Sequence, residues 1–176
     1  MQPKLGKRII IIGNSGGGKT TVSRKFGELL GLPVTHLDYL YWNAGWVRTP
    51  TDIWEEKVRV MIAEPEWILE GNFNGTLALR LTRADTVIFL DYNRIVCLGG
   101  ALKRWYKNRG RTRPDMPEGC LEKIDFAFFK WILWDFPRRS RKNILKCLAG
   151  FDGVKVIAKN RRELSDYYDS YRKGIK

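Results

Sequence analysis

The sequence predicts one α/β domain, residues 1–176, organised on a parallel sheet. Three observations lead there. Short apolar or β-branched runs alternate with segments of helical period along the whole chain. A glycine-rich stretch joins the first of these runs to the first helix. The length of 176 residues, with 44% hydrophobic and 29% charged, suits a globular chain with a single substantial core.

Taken in chain order, "KRIIIIG" is too short for a helix and apolar throughout, as a buried parallel strand should be. "KTTVSRKFGELLGL" places Val22, Phe26, Leu29 and Leu30 on one helical stripe and stops at Gly31. "PVTHLD" is a second short strand. "TDIWEEKVRVMIAEP" carries Trp54, Val58, Met61 and Ile62 on one helical face, with Pro65 just past its end. "EWILEG" gives the third strand, a brief turn or helix runs to Arg83, and "DTVIFLD" gives the fourth strand. A helix from about Arg94 to Lys107 precedes the polar, Gly/Pro-punctuated "NRGRTRPDMPEGC". "IDFAFFKWILWDF" is apolar on every face, so it is expected to be buried or docked, either as a core helix or as an interface between chains; the oligomeric state stays open. "GVKVIA" is the fifth strand, and "RRELSDYYDSYRK" is a closing helix.

Composition removes several function classes. No apolar run reaches membrane-spanning length, and the first residues lack the h-region and cleavage site of a signal peptide. Cys97, Cys120 and Cys147 lie far apart, in no CxxC arrangement, beside a single histidine, His36. That pattern speaks against a structural zinc site and against a disulfide framework, so the chain is expected to be cytoplasmic and reduced. The formal net charge of +13 is unevenly placed: Tyr92 to Pro114 holds seven Lys or Arg residues and no acid. Pro137 to Phe151, also without acids, holds Arg138, Arg139, Arg141, Lys142 and Lys146. A polyanionic partner, nucleotide or nucleic acid, competes here with a plain solvated basic face.

"GNSGGGKT" satisfies G-x-x-x-x-G-K-[ST] in the required setting, a strand before and a helix after. Glycines let the backbone turn several N–H groups inward where no Cβ blocks a phosphate, and the helix N-terminus adds its partial positive charge. The expected nucleotide contacts are Gly13, Asn14, Ser15, Gly16, Gly17, Gly18, Lys19, Thr20 and Thr21, with Arg104 from the later basic stretch. Lys19 suits the β- and γ-phosphates of ATP, and the Thr20 hydroxyl suits Mg²⁺. A phosphotransferase must exclude water while its acceptor binds, which calls for a mobile lid that carries positive charge. The segment at about 108–124 qualifies, with Arg109, Arg111 and Arg113 expected to act on the transferring phosphoryl group.

An acceptor site belongs outside the carboxyl ends of the strands. Asp38 follows the second strand and is read either as a group that accepts the acceptor hydroxyl proton or as a turn residue. Trp42 and Trp46 are read as a stacking wall or as core. Glu70 ends the third strand and either holds Mg²⁺, through water, or joins a buried salt bridge. Gly71, Asn72 and Arg80 complete the expected acceptor side, and Asp91 is a weaker candidate at the end of "VIFLD".

"HLDYLYWNAGW", "WILEGNF", "RADTVIFLD" and "LKRWYKNRGRTRPDMPEGC", together with the phosphate loop, resemble the bacterial DNA topology modulation proteins, a group related to adenylate kinase and the P-loop nucleoside and nucleotide kinases. The resemblance spans Lys7 to about Lys159. It implies a three-layer P-loop NTPase fold with sheet order 2-3-1-4-5, helices on both faces, ATP at the phosphate loop and an Arg-rich lid at "RGRTRPD". "WILEGNF" takes the place of the adenylate-kinase strand that ends in Asp-Gly-Phe-Pro-Arg, with glutamate for aspartate and no match for the arginine that binds the acceptor phosphate. Two functions follow as expectations. The favoured one is Mg·ATP-dependent transfer of a phosphoryl group to a nucleotide, nucleoside or other small hydroxylated acceptor. The other is an ATP-binding regulator of DNA topology, with DNA tracked by the basic stretches; no helix-turn-helix, zinc-finger or RNP-like pattern supports it.

Overall fold

Four consecutive isoleucines decide the layering. The computed structural model describes residues 3–175. In β1 (Arg8–Gly13), Ile9 and Ile11 point into one apolar cluster and Ile10 and Ile12 into another, and all four are fully buried. A strand whose alternate side chains are both buried needs cover on both faces, which is the three-layer arrangement. Each isoleucine contributes on the order of 1.5–3 kcal/mol by burial.

Five parallel strands form the sheet in the order β2 (Val34–His36), β5 (Trp67–Glu70), β1, β6 (Thr86–Leu90) and β7 (Val154–Ala158). In chain order these are the second, third, first, fourth and fifth strands of the sheet, as the resemblance implies. The cluster on the Ile9 side includes Phe26 of α1 (Lys19–Leu30), Cys97 and Ala101 of α5 (Arg94–Asn108) and Leu164 of α8 (Arg161–Ile175). The other includes Trp54, Val58 and Ile62 of α3 (Thr51–Ala63), Leu77 of α4 (Asn74–Leu81) and Ile144 and Leu148 of α7 (Arg141–Ala149). The α3 stripe is the one read from its period. Among the described residues no helix is long and apolar enough to cross a membrane. Cys97, Cys120 and Cys147 are all free thiols.

Two features depart from the sequence expectation. After the short helix α2 (Leu37–Tyr41), an antiparallel hairpin of β3 (Trp42–Asn43) and β4 (Val47–Arg48) closes through Gly45 and Trp46, both at positive φ. The brief turn or helix expected up to Arg83 is the helix α4, in keeping with that expectation. "IDFAFFKWILWDF" is not buried all round: it forms α6 (Phe126–Lys130) and a ten-residue π-helical segment, Trp131–Ser140. Ile132, Phe136, Ser140, Ile144 and Leu148 make one buried stripe repeating every four residues, while Phe126 and Trp134 are exposed. A single face therefore docks, and the remainder meets solvent.

Candidate functional site

The phosphate loop follows β1 and closes against α5. Gly16 and Gly18 have φ of 80° and 92°, the left-handed region that glycine enters without strain. A Cβ on Gly16 would lie 2.1 Å from the Cys97 carbonyl oxygen, so the loop also needs glycine there for close packing. Gly18 caps α1 with no side chain, leaving the first-turn N–H groups of α1 as orphan donors at the loop mouth. Two contacts fix the loop from outside. Asn14 donates to the Ile132 carbonyl of the π segment at 3.0 Å while its Oδ1 accepts from Ser15 N, and the Asn72 side-chain oxygen accepts from Gly13 N at 2.9 Å. Lys19, first residue of α1, has its Nζ 3.4 Å from the Asn14 carbonyl oxygen, and Thr21, two positions on, is exposed.

The Thr20 hydroxyl stands between two carboxylates, 3.3 Å from Glu70 Oε2 and 3.3 Å from Asp115 Oδ2. Glu70 ends β5 with its side chain 5% exposed, and its Oε2 is 2.9 Å from Nδ1 of His36, its register partner on β2. Asp115 arrives from the lid and accepts from Arg113 Nη1 at 3.0 Å. Asp38 lies in the first turn of α2, where β2 ends. Burial, then the charge of Glu70, raise its pKa above the ordinary carboxylate value; Lys19 and Arg113 pull the other way, and Asp115 adds to the rise. Thr20, Glu70, Arg113 and Asp115 thus cluster at the carboxyl ends of β1 and β5, and Lys19, Glu70, Arg113 and Asp115 are near enough to Asp38, at the end of β2, for their charges to act on it.

The segment expected to form a lid packs onto the hairpin. Gly45 N donates to the Gly119 carbonyl at 3.2 Å, and Trp46 Nε1 donates to the Leu121 carbonyl at 3.1 Å. The Cys120 thiol sits 3.2 Å from the Asn43 carbonyl. Glu122, its side chain 2% exposed, anchors the segment through ion pairs with Arg104 Nε at 2.8 Å and Arg113 Nε at 2.7 Å.

These contacts redraw part of the expected site. Of the three arginines expected to act catalytically, Arg113 alone is among the clustered side chains; Arg109 is exposed over the Tyr106 ring and Arg111 is exposed. Arg104 is tied to Glu122 and lies over the Phe128 ring. Arg80 does not face an acceptor. It is fully buried and donates to the carbonyls of Gly71, Asn72 and Phe73, because a loop with Gly71 and Phe73 at positive φ turns those oxygens inward, where only a multi-armed donor satisfies them. Burial lowers its pKa to about 9, and it stays charged at neutral pH. Gly71 is itself buried, and the Asn72 side-chain oxygen is spent on Gly13 N. Trp42 and Trp46 meet edge to face at 5.5 Å and 70°, with Lys123 over Trp46 and Arg48 over Trp42, an arrangement with no parallel gap for a base between the two rings. Asp91 is structural: Arg141 grips it with two bonds, at 2.6 and 2.9 Å, and Lys159 adds a third.

Asp115, Glu122 and His36 escaped the sequence reading. Asp115 left a signal, as the first acid after the acid-free basic run that starts at Tyr92. Glu122 left none, and His36 becomes informative only through the pairing of β2 with β5.

The architecture is that of a P-loop kinase fold. Shikimate kinase from Acinetobacter baumannii, solved in complex with shikimate, superposes with a TM-score of 0.62 at 15% identity, over 96% of this chain and 92% of that one. Shikimate kinase from Bacteroides thetaiotaomicron superposes with a TM-score of 0.53 at 14% identity, over 96% and 98%. At these identities the likeness is one of fold. No protein-family model matches the chain, and no curated protein matches it.

Proposed function

We propose that the protein is an ATP-dependent small-molecule kinase, transferring the γ-phosphoryl group of ATP to a hydroxyl of a small acceptor. The observation that carries this reading is the clustering of the phosphate-loop Thr20 with Glu70, Arg113 and Asp115, beside Asp38 at the end of β2. The resemblance to the topology modulation proteins and the shared fold with shikimate kinases support it.

The division of labour follows from the geometry. The inward N–H groups of the phosphate loop and the Lys19 ammonium hold the ATP phosphates. Arg113, kept in place by Asp115 and Glu122, lays its planar fork against the transferring phosphoryl oxygens. Asp38 accepts the proton of the attacking hydroxyl, and its raised pKa makes it a better base than an ordinary carboxylate. The docked lid excludes water that would otherwise take the phosphoryl group. Among the described residues no three His, Cys, Asp or Glu side chains form a metal cage. The hard oxygen donors that are present, the Thr20 hydroxyl and Glu70, fit Mg²⁺, which takes one or two protein oxygens and fills its shell with phosphate and water. Bound there, Mg²⁺ supplies charge neutralisation on the phosphate oxygens.

The test is an ADP-release screen over nucleosides, nucleotides and small polyols, with Lys19→Ala as the control. Transfer to one acceptor class, lost in Lys19→Ala without a drop in melting temperature, is the expected result. Equal turnover in the variant would remove the phosphate-loop assignment.

A further inference from the structure

We propose that the outer face of α6 and the π segment is a contact between two copies of this chain, packed antiparallel about a two-fold axis that passes between Lys130 and Trp134. Ile132, Phe136 and Ser140 are buried at every fourth position. The opposite side repeats at the same interval, and its residues Phe126, Lys130, Trp134 and Arg138 are all exposed. Phe126 is 83% exposed and Trp134 is 45% exposed. Together with Asp135 and Arg139, the four residues line a groove of about 520 Å³. Among the described residues Lys130 and Arg138 join no ion pair, and the rings of Phe126 and Trp134 meet no other ring and carry no cation.

Along this ridge an aromatic ring alternates with a cation. The ring quadrupole attracts a cation over its face, so such a ridge is complementary to its own reverse. With the axis between Lys130 and Trp134, Lys130 faces Trp134 of the second copy and Phe126 faces Arg138 of the second copy. The same patch is used by both copies, so the assembly closes at two. The alternation also fixes the register. An axis at the level of Trp134 would set Lys130 against Arg138 of the second copy, and one at the level of Lys130 would set that lysine against itself. The interleaved order lets a chain of net charge +13 bring two helices together without opposing cations. A membrane surface calls for another layout, with apolar side chains on one face and cations on the other. An acidic peptide would answer Lys130 and Arg138 and leave both rings without a partner. Here rings and cations share one stripe, which fits a second copy of the same stripe.

Sedimentation velocity on the full chain, from about 1 μM to about 1 mM, is the test. Four side chains from each copy make a contact at the small end of specific interfaces, so the dimer should be weak and reversible, half formed on the order of 100 μM. Lys130→Ala and Trp134→Ala should each weaken it by about 5–30-fold, because each removes two symmetry-related pairs of cation and ring. Both positions are exposed, so thermal melts of the variants should match wild type. Trp134→Lys opposes cations across the axis and should abolish the dimer. Adding Lys130→Trp to that variant restores a ring opposite each cation and should bring the dimer back, a rescue that an ordinary solvated face would not produce. A chain that stays monomeric to about 1 mM overturns the inference. So does a dimer indifferent to Trp134→Ala, or a double exchange no better than Trp134→Lys alone. A monomer that takes up a labelled single-stranded oligonucleotide, with affinity lost in Trp134→Ala, also overturns it and makes the ridge a stacking platform for bases.

Discussion

Asp38 and Arg80 show how position in the loop system separates a chemical role from a scaffolding one. Asp38 sits among Glu70, Asp115, Lys19 and Arg113, and burial with its acidic neighbours outweighs the two cations. A base works only when ionised, so transfer should fall as the pH drops through the raised pKa of Asp38, and the acid limb should lie above the usual carboxylate range. Asp38→Asn should leave ATP binding intact and depress transfer by about 10²–10⁴-fold, as loss of a general base does. A full pH–rate profile of kcat/KM for both proteins checks it, and an acid limb in the ordinary carboxylate range would contradict the role. Arg80 spends its guanidinium on three loop carbonyls and meets no solvent. Arg80→Ala should therefore cost about 3 kcal/mol of stability by orphaning buried acceptors, read as a lowered urea midpoint.

The lid and the β6–α7 connection carry their charges for different purposes. In the lid, Arg113 points inward under the hold of Glu122 and Asp115, and Arg109 and Arg111 are exposed. Arg113→Ala should cut transfer by about 10³-fold, the size of effect an arginine at the phosphoryl group has. Arg109→Ala and Arg111→Ala should leave it nearly unchanged; single-turnover rates on the three variants decide the assignment. At the end of β6, burial works to raise the Asp91 pKa, but hydrogen bonds from Arg141 and Lys159 outweigh it and hold it below its ordinary value. The stability this gives is complete above the unfolded-state pKa of about 3.9 and drains away as the pH falls through the lower folded value. Asp91→Asn should lose about 2 kcal/mol at neutral pH, less than a fully buried pair because Arg141 and Lys159 are well exposed. Its stability should then change little on acidification, where the wild type declines, as urea melts at several pH values would show. The phosphate loop was legible in the sequence because its chemistry is local: one strand, one turn and one helix start. Glu122 and the inward turn of Arg80 were not, because each is set by contacts across the fold, including Glu122 with Arg104, eighteen residues apart, and Asp115 left only its place as the first acid after the basic run.

The five strands and their order could be anticipated because alternation of apolar runs and helical stripes restricts a chain of this length to few layered solutions. The hairpin at Trp42–Arg48 and the π segment at Trp131–Ser140 could not, since residues of either type read as helix or strand until their neighbours are known. The net charge of +13 remains to be explained by the molecule as a whole. Part of it is internal: Arg80 holds a loop, Arg104 and Arg113 hold Glu122, and Arg141 holds Asp91. Removing Arg141 thus tests folding and not a partner. The cations free to meet a polyanion on the second basic stretch are Arg138, Arg139, Lys142 and Lys146, all exposed. If they track DNA through six to ten phosphates, affinity should fall by about 10³–10⁵ between 50 and 200 mM salt, and replacing those four by alanine should flatten the slope. If the charge serves a nucleotide site and solubility, DNA binding should be weak, indifferent to Mg·ATP, and little altered by the four replacements. We expect the second outcome, because Arg113, the lid arginine among the site's side chains, comes from the cleft and not from this outer face. A filter-binding titration at several salt concentrations, with and without Mg·ATP, separates the two; tight, ATP-dependent DNA binding together with an empty acceptor screen would replace the kinase reading with that of a DNA-associated ATP-binding protein.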